Sequence, residues 1–494
     1  MTVRKAAFWA MADQYIGFAI QFAASLILAR WFISPAQLGV FSIAFAAVSL
    51  IAFLQDFGVG RYINGETELD DAKLRAAYSF SLTLGWIIAM LCVALAWPLA
   101  NFYDDAALVP VTLVIAASYF FFPFSIVPQA MRQREMDFRS TAMIGISAAL
   151  ANAAAAITLG WMGHGALALA WGALAQQLAR MIMAQWRAGG LNPWPLRYAN
   201  LRTLMDFAGT NTVLVTCLLV VSRAPELMIG RVLGAAPVGL FARATGLAMQ
   251  LRMLLSGAVS SVFFPAFARV SDRGEPLGPP YMRVVAAYTA ITWPAMAGLA
   301  VLAQPTVHLL YGPVWIASAP LLAWIALSQI CFITFPLNAD MPILLGHRRE
   351  LILRNVIDVV LAICLLIAAM PHGIEAVAMS RLVHGLLWMA NFGPFLRRIV
   401  GFSWYAIGKV MAQSALATMA AVGPAILMYE TWHGPAMAGF AQILASASLG
   451  AGLWIIALRQ MRHPAYEEIA HIMSAVLGRA RLAHLVPPPR PASR

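Results

Sequence analysis

The chain has 494 residues, of which 61% are hydrophobic and only 11% are charged. Soluble globular proteins are about 45–50% apolar and about 25% charged, so this composition excludes an ordinary soluble protein. A net charge of +12 is also found in nucleic-acid-binding proteins, but the positions of the basic residues, described below, account for it without an acidic partner.

Long apolar runs follow one another along most of the chain. A helix needs roughly 20 apolar residues to cross a hydrocarbon core about 30 Å thick. The runs of this kind predict spans at 7–29, 37–58, 78–100, 107–130, 140–160, 164–186, 207–230, 238–266, 284–304, 315–338, 351–370, 373–393, 404–428 and 436–458. The sequence therefore predicts an all-α polytopic membrane protein with about 14 transmembrane helices.

One stretch of sequence occurs twice. Residues Arg30–Phe41 and Arg231–Phe241 each begin with an Arg that ends an apolar run, cross a short loop, and enter the next run at Gly39-Val-Phe or Gly239-Leu-Phe. The second copy is one residue shorter. Weaker repeats support this one, at Arg134-Glu135 with Arg139 and Arg349-Glu350 with Arg354, and at His164-Gly165 and His372-Gly373.

The repeat predicts a transporter built from two similar halves. Each half would hold six helices, an even number, so both halves enter the membrane in the same orientation. A pseudo-two-fold axis along the membrane normal would relate them. The predicted divisions are an N-terminal six-helix lobe at 1–206, a C-terminal six-helix lobe at 207–403, an extra helix pair at 404–458, and an amphipathic and then disordered cytoplasmic tail at 459–494.

The basic residues lie in alternate loops. Lys and Arg cluster near residues 4–5, 73–75, 132–139, 187–202, 269–283, 348–349 and 397–398 and from 459 onward, whereas the intervening loops 101–106, 163–165 and 429–435 carry almost none. By the positive-inside rule the clusters face the cytoplasm, so both termini are predicted to be cytoplasmic. The first apolar run is long and lacks an Ala-x-Ala-like cleavage site, which favours an uncleaved first helix.

The loops restrict the possible functions. They are too short for a soluble catalytic domain, and the chain lacks the Gly-x-x-x-x-Gly-Lys-Ser/Thr loop that binds ATP. The sequence therefore predicts a transporter rather than an enzyme, with no cofactor. Four widely spaced cysteines inside predicted helices favour small core residues over a metal site or a disulfide.

Charged residues inside predicted helices are the candidate functional residues. A charge in hydrocarbon costs at least about 2.5–3.5 kcal/mol, so such residues usually face a cavity or a partner. Arg223, Arg252 and Arg381 are predicted to bind substrate, because the forked donors of a guanidinium bind phosphate and carboxylate oxygens bidentately. Arg223 also has a structural alternative, an ion pair with Glu226.

The acidic residues Asp13, Asp56 and Glu226 are candidates for coupling to a proton or a sodium ion. Asp56 has a structural alternative in an ion pair with Arg61. Arg243 and Arg252 are nine residues apart, about half a helical turn out of phase. Both cannot face one cavity, and Arg252 is the preferred substrate residue.

Several motifs, in their order and spacing, resemble a known family. They are Leu-Ala-Arg30 with Pro35–Phe41 and Phe53–Gly58, then Glu226–Arg231 with Gly239–Ala244, Phe263–Phe267, Leu310–Trp315, and Arg132–Phe138. Together they resemble the Wzx-like oligosaccharide flippases of the polysaccharide transporter family, in the multidrug/oligosaccharidyl-lipid/polysaccharide exporter superfamily. The resemblance covers roughly residues 7–400.

The resemblance implies a V-shaped two-lobed helical bundle in the bacterial inner membrane. It would move an undecaprenyl-pyrophosphate-linked oligosaccharide outward by alternating access, for exopolysaccharide or lipopolysaccharide synthesis. Its partners would be a polysaccharide polymerase and a chain-length regulator. The alternatives are a lipid II or multidrug exporter of the same superfamily, a membrane glycan polymerase, and a scaffold of an export complex. The polymerase is disfavoured by the short outer loops, and the scaffold by the buried arginines.

Overall fold

The structure is a computed structural model, and it describes residues 3–53, 59–66, 69–191, 194–196, 198, 201–272, 276–431 and 439–466. These residues form helices and connecting turns, with no strand among them. The all-α fold class predicted from the sequence is therefore confirmed. Asp56 and the tail from residue 467 onward lie outside the described residues.

Eighteen α-helices cover most of the described residues. They are α1 (Val3–Ile27), α2 (Pro35–Ala52), α3 (Val59–Gly65), α4 (Asp71–Tyr103), α5 (Leu108–Phe121), α6 (Pro123–Arg134), α7 (Phe138–Trp161), α8 (Ala166–Ala188), α9 (Leu201–Leu233), α10 (Ala235–Asp272), α11 (Gly278–Val301), α12 (Ala303–Tyr311), α13 (Ala319–Ile333), α14 (Asp340–Leu344), α15 (Arg348–Ala369), α16 (Ile374–Val400), α17 (Trp404–Thr431) and α18 (Phe440–Gln460).

Ten of the described helices are long and apolar enough to cross a membrane, or eleven spans if α5 and α6, which meet at a 45° bend, form one. The protein is thus a multi-pass membrane protein, although the predicted count of 14 is not confirmed. The other three predicted spans coincide with α8, α10 and α16, whose 23, 38 and 27 residues are long enough to cross. The charged side chains of these three helices make them more polar than the ten candidate spans.

The chain divides into two compact units. The first unit contains Met1–Arg243, Leu310–Trp315 and Asn355–Ile374, and the second contains Ala244–Leu309, Ile316–Arg354 and Glu375–Arg494. Helix α10 therefore begins in the first unit and continues in the second.

The two copies of the sequence repeat pack against each other inside the first unit. A Cβ added at Gly39 would overlap the carbonyl oxygen of Ala235, and a Cβ added at Gly239 would overlap the carbonyl oxygen of Pro35. The two contacts are reciprocal, since each glycine lies four residues after the residue whose carbonyl the other copy meets. The glycines of the repeat thus allow the first turns of α2 and α10 to cross backbone to backbone.

Local sequence explains where α2 begins. Pro35 occupies the first helical position, where its missing N–H costs nothing. Ser34 caps the helix: its hydroxyl accepts from the backbone N–H of Gln37 at 3.3 Å, and the Gln37 side chain accepts from the N–H of Ser34 at 3.0 Å.

In the second unit, polar contacts hold the last two helices against α11. The hydroxyls of Thr289 and Ser414 are 2.9 Å apart, and Ser414 is 3.1 Å from Nε2 of the buried His463. The indole of Trp454 donates to the carbonyl of Ala290 at 2.9 Å. His463 lies after the end of α18, and its burial lowers its pKa from 6.5 to about 4. His463 is therefore neutral at physiological pH.

Candidate functional site

Arg223 and Glu226 form an ion pair on α9 in the first unit. Nη1 of Arg223 lies 3.3 Å from Oε2 of Glu226, and the guanidinium lies over the ring of Phe45 at 5.0 Å from its centre. Nε of Arg223 is buried and has no hydrogen-bond partner. The i,i+3 pair considered from the sequence therefore exists, and it leaves one donor of the guanidinium unused.

Arg252 lies on the part of α10 that belongs to the second unit. Its Nη1 donates to the side-chain carbonyl of Gln329 at 3.0 Å, and it also interacts electrostatically with Tyr288. Gln329 and Tyr288 thus help to fix the position of the guanidinium, a group that can bind an anion through its N–H donors.

Arg381 lies in an aromatic environment on α16, also in the second unit. Nη1 is 3.4 Å from Nδ1 of the buried His384, and the guanidinium lies over the ring of Phe332 at 5.7 Å from its centre. Phe332 in turn packs edge-on against His384. The aromatic faces stabilise a cation in a region of low polarity.

Asp13 lies on α1 of the first unit, beside α7. A Cβ added at Gly145 would overlap its carboxylate. Asp13 also interacts electrostatically with Arg180 on α8. The glycine therefore makes room for a carboxylate that interacts with a basic residue. Ionisable side chains inside a membrane usually have such an oppositely charged neighbour.

The prediction from sequence missed two charged residues. Arg180 follows Gln176 and Gln177 by about one helical turn in α8, and Asp358 is buried in α15 near Cys217. The available signal in each case was a charge within a long apolar run, the signal that identified Arg252 and Arg381.

The six predicted site residues are thus distributed over both units. Asp13, Arg223 and Glu226 belong to the first unit, Arg252 and Arg381 belong to the second, and Asp56 lies outside the described residues. Direct contact joins Arg223 to Glu226. In the described part of the chain, no group of three or more His, Cys, Asp or Glu side chains could hold a metal ion.

Residues 27–320 match the family described as "Polysaccharide biosynthesis protein". The chain belongs to this family. Two curated relatives are the "Lipopolysaccharide biosynthesis protein WzxC" of Escherichia coli (strain K12) and the "Succinoglycan biosynthesis transport protein ExoT" of Rhizobium meliloti (strain 1021). WzxC is 24% identical over 298 residues, 60% of this chain and 60% of WzxC. ExoT is 22% identical over 419 residues, 82% of this chain and 80% of ExoT.

Solved structures share the fold of this polysaccharide biosynthesis protein. The "Lipid II flippase MurJ, inward closed conformation" has a TM-score of 0.69 at 12% identity, covering 92% of this chain and 99% of MurJ. An inward-facing multidrug resistance MATE family transporter of the MOP superfamily has a TM-score of 0.59 at 14% identity, covering 79% of this chain and 98% of that protein. The chain therefore shares its fold with MurJ and with this MATE family transporter.

Proposed function

We propose that the protein moves an undecaprenyl-pyrophosphate-linked oligosaccharide from the inner to the outer leaflet of the bacterial inner membrane. The observation that carries this proposal is the family match over residues 27–320. The relative ExoT, which aligns over most of both chains, is named as a transport protein of polysaccharide biosynthesis. A flippase of this kind is a transporter and not an enzyme.

Arg223, Arg252 and Arg381 are the proposed anion-binding residues. Arg223 lies in a candidate membrane span, and Arg252 and Arg381 lie in helices long enough to cross a membrane. A guanidinium binds the two phosphates of a lipid pyrophosphate, or an acidic sugar, through paired N–H donors. Arg252 is the strongest candidate because its neighbours Gln329 and Tyr288 fix the position of its guanidinium. Arg223 would bind substrate through the Nε donor that Glu226 leaves unused.

Transport would proceed by alternating access of two halves, with the lipid tail remaining in the bilayer. The lobes proposed are 1–206 and 207–403, with 404–458 as an added helix pair. Coupling to H⁺ or Na⁺ would use Asp13, Asp56 or Glu226. Of these, Asp13 is supported by its electrostatic interaction with Arg180, because a carboxylate that changes its charge would change its attraction for that cation.

The distribution of Lys and Arg supports an inner-membrane protein with both termini in the cytoplasm. A polysaccharide polymerase and a chain-length regulator are the partners proposed, since a flipped oligosaccharide must be consumed on the outer side. Lipid II is the competing substrate, because it carries the same lipid pyrophosphate with a different glycan.

A deletion strain tests the proposal and separates the two substrates. Loss of the gene is expected to stop surface polysaccharide while the lipid-linked oligosaccharide accumulates with its glycan on the cytoplasmic side. The wild-type gene should restore export. Accumulation of lipid II with unchanged surface polysaccharide would instead favour the competing substrate, and normal levels of both would refute the proposal.

A further inference from the structure

The two copies of the repeat differ at one turn of helix. The first copy has one extra residue, and Leu28–Phe32 form a π-helical turn in which the N–H of Ile33 donates to the carbonyl of Leu28, five residues back, at 2.8 Å. In the second copy α9 continues as α-helix to Leu233. Turns of this kind are frequent at functional sites.

The π turn frees a carbonyl. In an α-helix the carbonyl of Ala29 would accept from the N–H of Ile33, but that N–H is used by Leu28. The next N–H, of Ser34, donates to the side chain of Gln37. The carbonyl of Ala29 instead accepts from the indole Nε1 of Trp315 at 2.8 Å. Trp315 is fully buried, so this hydrogen bond is shielded from water.

Trp315 in turn holds Arg243, which follows the second copy of the repeat. The guanidinium of Arg243 lies 4.8 Å from the ring centre of Tyr311 and 5.0 Å from that of Trp315. Its Nη1 donates to the hydroxyl of Ser25 on α1 at 2.6 Å. These four residues, the Arg243 cluster, join α1, α10 and the segment Leu310–Trp315 by hydrogen bonds and cation–π contacts.

The Arg243 cluster lies where the chain changes from one unit to the other. Leu310–Trp315 belongs to the first unit, whereas the residues on either side of it belong to the second, and α10 leaves the first unit after Arg243. The reciprocal contacts of Gly39 and Gly239 lie in the same unit. These contacts therefore hold Leu310–Trp315 and the start of α10 to α1 and α2. In both segments, the chain continues into residues of the second unit.

We propose that the Arg243 cluster, docked on the π turn through Trp315, is the gate that closes the outer end of the transport path. The outer side is the one that the positive-inside pattern assigns to the loops at residues 28–35 and 231–237. In the outward-open state Trp315 would leave the carbonyl of Ala29 and the two repeat hairpins would separate. This inference rests on the proposed function, since only a transporter needs the gate to open.

Thiol labelling measures the gate without measuring transport. Val238 is fully buried beside Gly239, so V238C reports opening when the four native cysteines are replaced by serine. The full-length protein in nanodiscs is treated with a water-soluble maleimide. Trp315→Phe keeps the ring over Arg243 but removes the indole donor and leaves a buried carbonyl unpaired. It should raise the labelling rate about five- to hundredfold.

Trp454→Phe is the matched control, because it removes an indole-to-carbonyl bond of almost the same length within the second unit. It should leave the labelling of V238C unchanged. Trp315→Ala, which also removes the ring, should label at least as fast as Trp315→Phe. Equal labelling rates in the parent and in Trp315→Phe would overturn the gate, as would equal acceleration by Trp454→Phe. If Trp315→Phe accelerates labelling but the wild-type protein transports no glycan, the gate stands and the proposed function is refuted.

Discussion

Gly239→Ala tests the crossing of the two repeat hairpins. The added Cβ would overlap the carbonyl oxygen of Pro35 and would lie 2.7 Å from the carbonyl carbon and 3.0 Å from the N atom of Gly39. All three are backbone atoms, so no side-chain rotation relieves the overlap and the helices must move apart. Overpacking of this kind costs about 1–3 kcal/mol.

Gly246→Ala on the same helix is the matched control. A Cβ at Gly246 meets no atom within 4 Å. Both substitutions gain about 1 kcal/mol of helix propensity, so the difference between the two variants isolates the packing cost. A domain of 150–250 residues shifts by about 2–4 °C per kcal/mol, so Gly239→Ala should melt about 2–12 °C below Gly246→Ala.

The assay is thermal unfolding of the purified protein in detergent, followed by the loss of monodisperse protein after heating. Gly39→Ala should behave like Gly239→Ala, because the contact is reciprocal. Equal melting temperatures for Gly239→Ala and Gly246→Ala would refute the crossing of the two backbones at these glycines.

Two further variants test other parts of the account. Arg252→Gln should lower glycan export about 10- to 100-fold at unchanged protein level, the cost of a charge-assisted hydrogen bond of about 1.5–3 kcal/mol. Arg252→Lys should retain more export than Arg252→Gln. Arg459→Gln, at an exposed helix end, should leave export unchanged. Full export by Arg252→Gln would remove Arg252 from the site. Burial holds the pKa of His463 near 4, below its ordinary 6.5. The contribution of the neutral imidazole to folding stability is therefore complete above pH 6.5, and about 3 kcal/mol of it is lost as the pH falls toward 4. Melting temperatures between pH 7.5 and 5 should therefore fall more in the wild type than in His463→Gln, and an equal fall would contradict this pH dependence.

The helices could largely be predicted from the sequence because their apolar runs are long. Every predicted span overlaps a described helix, although 107–130 contains the bend between α5 and α6. The number of spans could not be predicted from the apolar runs alone, for a physical reason. Helices such as α10 and α16 combine the length of a span with charged residues, and it is their packing in the protein that determines whether such helices cross the membrane.

Pairings between distant residues could not be predicted. The sequence showed that the first copy of the repeat is one residue longer, but it did not show that this copy contains a π turn. Nor did it show that the freed carbonyl of Ala29 binds Trp315, 286 residues away. The electrostatic interaction of Asp13 with Arg180 was missed in the same way, because helical spacing places a residue on a face without identifying the helix opposite it.

Translocation by the purified protein in proteoliposomes is the most direct test of the central claim. Undecaprenyl-pyrophosphate-linked oligosaccharide is placed in both leaflets, and external periodate oxidises the glycans that reach the outer surface. The wild type should expose the protected inner pool with time, and Arg252→Gln should do so much more slowly. A protected pool that stays as large as in protein-free vesicles would contradict the claim that this protein is a flippase of lipid-linked oligosaccharide.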